Sequence, residues 1–83
     1  MITEKDFEDG IELFKLCFPS HRPIFCLIPA DQYGPNEWQM FHQRMRSVHV
    51  AYWDDKEWIP NPKFPHINVQ KWAKEQRKAK TNA

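Results

Sequence analysis

The segment NEWQMFHQRMRSVHVAYW, residues 36–53, decides the fold class that the sequence predicts. Its large apolar side chains recur at spacings of three, four, three and four residues: Trp38, Phe41, Met45, Val48 and Tyr52. That spacing places them on one face of an α-helix. Asn36 follows a proline and is a typical N-cap residue. We therefore expect a helix from Asn36 to about residue 53.

The two ends of the chain also carry helical patterns. Thr3 and Asp6 approximate a capping box, in which two side chains satisfy free backbone amides at the start of a helix. Four aromatic or apolar residues then share one face: Phe7, Ile11, Phe14 and Phe18. Pro19 ends this helix, because the residue before a proline is pushed out of the α region. A last helix is expected to begin near Asn68 and to be anchored by Trp72.

These patterns predict an all-α fold, a bundle of about three helices with long proline-rich connections. The connection at residues 19–35 contains the apolar run IFCLI (24–28), which we expect to cover the helices as a loop. The alternative is a minor two-stranded element in which this run pairs with VHVAYW (48–53). Eighty-three residues allow one domain. We place the domain at 1–80, followed by a disordered tail at 81–83.

Composition limits the class of protein. Aromatic residues make up 14% of the chain, which favours a packed core over a disordered tail. No apolar run approaches the roughly 20 residues that a membrane-spanning helix needs, so we expect no membrane contact. Cys17 and Cys26 are interpreted as thiols, because no secretory signal is recognisable. A cytoplasmic location follows.

The sequence carries no recognisable catalytic or metal-binding motif. Cys17, His21 and Cys26 do not have the CxxC or HxxxH spacing of a zinc site. With only two glycines, the chain has no glycine-rich phosphate loop. We therefore expect a protein that is not an enzyme and has no cofactor, no metal and no small-molecule substrate.

Basic residues give the chain candidate contacts for nucleic acid. The net charge is +1, but the start of the chain is acidic and its end is basic. The pI near 7.8 is lower than is typical of a dedicated nucleic-acid module, so direct DNA contact is an additional expectation only. The candidate nucleic-acid-binding residues on the second and third predicted helices are Arg44, Arg46, Lys71, Lys74, Arg77 and Lys78.

The segment EWIPNPKFPHINVQKW, residues 57–72, is expected to be a stiff crossover between the last two helices. Its closely spaced prolines fix their own φ angles and restrict the preceding residues, which makes the segment a poor strand and excludes a helix before Pro65. Trp58 and Phe64 are expected to hold it against the core.

The same segment resembles the lambda-type phage replication protein P family and the C-terminal end of phage replisome-organiser proteins. The matching residues are Ile59, Pro60, Pro62, Ile67, Asn68 and Trp72. Upstream, FKLCFP (14–19) resembles the end of the first helix in such helicase loaders, and Trp38 resembles a tryptophan of their second helix. The resemblance implies an accessory protein of DNA replication in the cytoplasm of a bacterial host, which binds a replicative helicase or another primosome protein.

On this basis the residues expected to bind the partner protein are Trp58, Pro60, Pro62, Asn68 and Trp72. The basic last helix would touch DNA. Two other functions stay open: a small phage protein that regulates a host enzyme such as RNA polymerase, and a small DNA-binding domain.

Overall fold

A four-stranded antiparallel sheet with one helix before it and one after it forms the architecture. The computed structural model describes residues 1–64 and 67–81. The elements in chain order are α1 (Glu4–Cys17), β1 (Pro23–Ile28), β2 (Glu37–His42), β3 (Ala51–Trp53), β4 (Trp58–Pro60) and α2 (Val69–Thr81). The strands lie in the order β1-β2-β3-β4. The fold is α+β, so the all-α prediction is wrong.

The helix predicted over residues 36–53 is replaced by two strands. The chain turns after His42, where the Met45 N–H donates to the His42 carbonyl at 3.2 Å. It then returns as β3, whose Ala51 pairs with Met40 of β2. The same apolar residues that fit a helical spacing also fit strands, and long-range pairing decides between them. Helical periodicity within one segment contains no information about that pairing.

The apolar run IFCLI is a strand and not a loop. It forms most of β1, which pairs with β2 over its whole length, from Pro23 opposite His42 to Ile28 opposite Glu37. The alternative considered from the sequence, a strand at this position, was right about the conformation and wrong about the partner. Residues 48–53 contribute to β3, which lies on the far side of β2.

The proline-rich segment contributes the fourth strand. Trp58 pairs with Trp53 and Pro60 pairs with Ala51, so the expectation of a crossover with no strand is wrong for Trp58–Pro60. A proline is compatible with this position because β4 lies at the sheet edge, where the missing N–H breaks no ladder. The crossover to α2 begins at Asn61.

The two terminal helices are confirmed. The Asp6 N–H donates to Thr3 Oγ1 at 3.3 Å and the Thr3 N–H donates to Asp6 Oδ2 at 2.8 Å, which completes the capping box of α1. Asn68 caps α2, because its Oδ1 accepts from the Lys71 N–H at 3.0 Å. Thr81, which was expected in the tail, belongs to α2. Residues 82 and 83 of that tail lie outside the described residues.

The core lies between the helices and one face of the sheet. Its buried apolar residues are Leu13, Phe14, Met40, Val50, Ala51, Trp53, Trp58, Phe64 and Trp72. Gly10 of α1 lies so close to the sheet that a Cβ at this position would be 2.9 Å from Trp58 Nε1. The glycine that weakens α1 as a helix thus permits its close approach to the Trp58 ring.

Candidate functional site

Trp58 is the residue that fixes both helices to the sheet. Its side chain is only 1% exposed, and its Nε1–H donates to the Asp6 carbonyl of α1 at 2.8 Å. Its backbone N–H donates to Gln76 Oε1 at 2.8 Å. Its carbonyl accepts from Gln76 Nε2 at 3.0 Å and from Trp72 Nε1 at 2.9 Å. The position of α2 on the sheet edge is therefore set by three hydrogen bonds to the main chain of Trp58, and a fourth bond, from its ring, holds α1.

The residues predicted to bind a partner are divided by the structure into buried and exposed ones. Trp58 and Trp72 lie in the core, with Trp72 fully buried, so their side chains position α2. Pro60 is half-buried in β4. Pro62 and Asn68 have exposed side chains on either side of the crossover. That these two bind a partner stays a prediction.

The structure brings four of the predicted nucleic-acid-binding residues onto one surface. Lys71, Lys74, Arg77 and Lys78 are all exposed. At about 100° per residue they span an arc of roughly 120° on α2, nearly opposite Trp72. We call this surface the basic face. It is a convex surface on a helix whose other side is bonded to β4.

Arg44 and Arg46 are not on a helix and do not belong to the basic face. They lie in the turn after β2, and both are exposed. The Arg46 Nε–H donates to the Gln43 carbonyl at 3.1 Å. The prediction that placed them on a second helix is wrong, because that helix does not form.

On the other side of α2, a groove of about 330 Å³ lies between α1, the β3–β4 turn and α2. We call it the acidic groove. Four apolar side chains line it: Leu13, Leu16, Trp53 and Trp58. Five carboxylates and two lysines also line it, giving a net charge of −3: Asp6, Asp9, Glu12, Glu57, Glu75, Lys5 and Lys56. Gln76 completes the lining.

The two tryptophans of the acidic groove differ in how their ring nitrogens are satisfied. The ring centroids of Trp53 and Trp58 are 5.3 Å apart at an angle of 59°. Trp58 Nε1 has a partner, whereas the buried Nε1–H of Trp53 has no acceptor within residues 1–64 and 67–81. A buried donor without a partner costs about 1–3 kcal/mol. Trp53 therefore lines the acidic groove and holds an unsatisfied donor buried behind that lining.

Sequence reasoning missed this groove because its walls come from three distant parts of the chain. The acidic residues of α1 were explained by the helix dipole, which favours them near the N-terminus. One signal was available: Asp6, Asp9 and Glu12 recur every three residues beside Leu13 and Leu16. The remaining wall forms only when β3 pairs with β4. The helix predicted over residues 36–53 includes the residues of β3 and therefore left no strand for this pairing.

A cluster of rings surrounds His42, the buried polar residue at the end of β2. The imidazole packs against Phe14, Phe18 and His21, with ring centroids 4.9–5.7 Å away. Burial lowers the pKa of His42 below its usual value of 6.5, and the nearby His21 and Arg44 lower it further. The Arg44 N–H donates to His42 Nδ1 at 3.0 Å, so the neutral ring carries its proton on Nε2.

This ring cluster is not a metal site in the part of the chain that the structure describes. No group of three or more histidine, cysteine or acidic side chains there is arranged to hold a metal ion. Cys17 and Cys26 are free, half-buried thiols. Cys17 packs against the hydrophobic core.

Within the described ranges, neither helix is long and apolar enough to cross a membrane. The two surfaces that remain as candidate functional sites are the basic face and the acidic groove. Comparisons with models of protein families, with curated proteins and with solved structures found no match to this chain.

Proposed function

We propose that this chain is a small binding protein that acts through its surfaces on a protein of the DNA-replication machinery, with α2 as its main contact helix. The observation that supports this most directly is the basic face. Four exposed cationic side chains share one side of a helix whose opposite side is bonded to the sheet edge.

The attachment of α2 matters for binding. An isolated helix of 13 residues is marginal in water, and ordering it on a partner would reduce the affinity. Here Trp72 and Gln76 hold the helix before any partner arrives. The basic face is therefore preorganised to meet carboxylates or phosphates, which both accept charge-assisted hydrogen bonds from Lys and Arg.

The class of partner in this proposal comes from the resemblance of residues 58–72 to phage helicase loaders. The exposed members of that match are Pro62, in the crossover, and Asn68, which caps α2 and bonds to the Lys71 N–H of the basic face. A partner that contacts the basic face with an acidic surface would also reach Asn68. No catalytic step is assigned to the chain in this proposal.

Direct DNA binding is the second candidate, and the same four cations favour it. Contacts to phosphates alone would recognise no sequence. If all four cations neutralise phosphates of a duplex, log K should fall with log salt with a slope of about −3.6.

A pull-down from a bacterial lysate tests the first candidate. The wild-type chain is compared with the variant Lys71→Gln/Lys74→Gln/Lys78→Gln, and Lys63→Gln, an exposed lysine outside α2, serves as the matched control. Replicative helicase retained by the wild type and by Lys63→Gln, and lost with the triple variant, supports the proposal. Absence of helicase from the wild-type eluate contradicts it.

The other two outcomes of the same experiment identify the alternatives. RNA polymerase in the eluate supports regulation of a host enzyme. Retention that nuclease treatment removes supports DNA binding, which fluorescence anisotropy with a labelled duplex at several salt concentrations then measures. A salt slope near zero in that titration rejects phosphate contact by the basic face.

A further inference from the structure

We propose that the acidic groove is a second binding site, which accepts a short basic and apolar segment of a partner protein. Nothing in the proposed role of the basic face requires this site. The groove lies on the other side of α2, where Glu75 and Gln76 contribute to its wall.

The shape of the groove fits a polypeptide segment. Its wall on α1 runs from Lys5 to Leu16, which at 1.5 Å per residue is about 16 Å. An extended chain covers that distance with about five residues. A compact small molecule would fill one part of such a groove, whereas a segment of chain would follow it.

The chemistry of the groove selects a basic segment. Its lining carries a net charge of −3, so a cationic ligand is attracted and an anionic one is repelled. Trp53 and Trp58, which are 9% and 1% exposed, add apolar surface to this lining. Leu13 and Leu16 are the other apolar residues of the lining. Lysine or arginine side chains alternating with apolar ones match this pattern.

Trp53 gives an independent indication of a ligand. It is about nine-tenths buried, lines the groove, and has an Nε1–H without an acceptor in the described structure. A segment of polypeptide carries carbonyl oxygens, and one of them would accept this proton once binding has moved the side chains that cover the Nε1–H in the free protein. Binding would then satisfy a group that is unsatisfied in the free protein.

A binding titration with a defined probe tests the proposal. The probe is a fluorescein-labelled peptide of seven alternating leucines and lysines, and the control peptide has glutamate in place of lysine. Fluorescence anisotropy should show saturable binding of the lysine peptide and none of the glutamate peptide. The variant Asp9→Asn/Glu12→Gln should bind the lysine peptide about three- to twentyfold more weakly, because two charge pairs with the peptide are lost.

Two controls localise the effect. Glu8→Gln removes an exposed carboxylate of α1 that does not line the groove, and it should bind the lysine peptide like the wild type. Lys74→Gln changes the basic face and should bind with wild-type affinity or slightly tighter. An equal loss with Glu8→Gln and with Asp9→Asn/Glu12→Gln would reduce the effect to nonspecific charge attraction and overturn the proposal.

Nuclear magnetic resonance gives a direct readout at Trp53. In ¹⁵N–¹H spectra, the indole signal of Trp53 should shift on addition of the lysine peptide, while that of Trp72, bonded to the Trp58 carbonyl, should stay unchanged. Absence of any shift at Trp53 at saturating peptide rejects the groove as the site. Sedimentation of the chain alone completes the test, since self-association that Asp9→Asn/Glu12→Gln abolishes would make a second copy the occupant.

Discussion

The side-chain amide of Gln76 bonds to both main-chain groups of Trp58, accepting from its N–H at 2.8 Å and donating to its carbonyl at 3.0 Å. Trp58 lies in β4, at the edge of the sheet, where unpaired main-chain groups invite pairing with another chain. Gln76 thus takes the place that a fifth strand would occupy. One residue of α2 both closes the sheet edge and fixes the helix.

We predict that Gln76→Ala destabilises the fold by about 1–3 kcal/mol, because the partly buried N–H of Trp58 loses its acceptor. The Trp58 carbonyl keeps its bond from Trp72 Nε1, so only one group is left unsatisfied. Urea denaturation followed by circular dichroism measures the change. Lys74→Ala, an exposed substitution on the same helix, should stay within about 0.5 kcal/mol of the wild type. Equal stabilities of the two variants would contradict the role of Gln76.

Gly10→Ala is predicted to destabilise the protein although alanine favours a helix by up to about 1 kcal/mol. The added Cβ would meet Trp58 Nε1 at 2.9 Å and Met40 Cε at 3.1 Å. Met40 ends in a flexible group, but the Trp58 ring is buried and bonded to the Asp6 carbonyl. Overpacking of this kind costs about 1–3 kcal/mol.

The melting temperature measures the effect of Gly10→Ala. A net loss of 1 kcal/mol lowers Tm by about 4–8 °C in a domain of this size. Glu8→Ala is the matched control, since this exposed position of α1 gains helix propensity without a clash. A Gly10→Ala variant as stable as Glu8→Ala would show that α1 can move away from Trp58 without loss.

The two helices were predictable because their signals are local. The Thr3–Asp6 capping box and the Asn68 cap each operate within one turn. The strands were not predictable in the same way. The apolar spacing over residues 36–53 suits a helix, yet β1 offers six paired residues on one side of this segment. The spacing of apolar residues within the segment cannot reveal this partner strand.

The candidate surfaces follow the same division. The basic face could be predicted because Lys71, Lys74 and Lys78 lie within two turns of one helix. The acidic groove could not, because Trp53 and Glu75 meet only once the sheet has formed. The burial of Trp58 and Trp72 also depends on that sheet. The composition of residues 57–72 was interpreted as a recognition motif. In the fold, the two tryptophans of this segment are packed in the core and hold α2 on the sheet.

The stability of the fold is predicted to fall as the pH decreases below about 6.5. Burial lowers the pKa of His42, with His21 and Arg44 adding to the effect, and burial also lowers the pKa of His49, which Glu37 partly opposes. The unfolded chain therefore binds more protons than the folded one between the folded-state pKa values and 6.5. This contribution is fully present above pH 6.5 and is lost as the pH falls through the folded-state values.

Urea denaturation between pH 5 and pH 8 measures that dependence. His49→Gln removes one of the two contributors. The free energy of unfolding of this variant should still fall as the pH decreases, because His42 is still present. A titration of the His42 ring signals by nuclear magnetic resonance should give a pKa below 6.5. Stability that stays constant from pH 8 to pH 5, or a His42 pKa above 6.5, would contradict the prediction.

Asn61, between two prolines, is predicted to hold the end of β4 to the loop before β3. Its Nδ2–H donates to the His49 carbonyl and its Oδ1 accepts from the Lys63 N–H, each at 3.0 Å. Asn61→Ala removes both bonds and should destabilise the fold by about 1–3 kcal/mol in urea denaturation. The Lys63 amide should also exchange its hydrogen faster. Lys63→Ala, which keeps both bonds, is the control.

Because the Asn61 N–H also donates to the Val50 carbonyl at 2.8 Å, part of the connection survives in either variant. Unchanged stability and exchange in Asn61→Ala would show that this backbone bond alone holds the crossover.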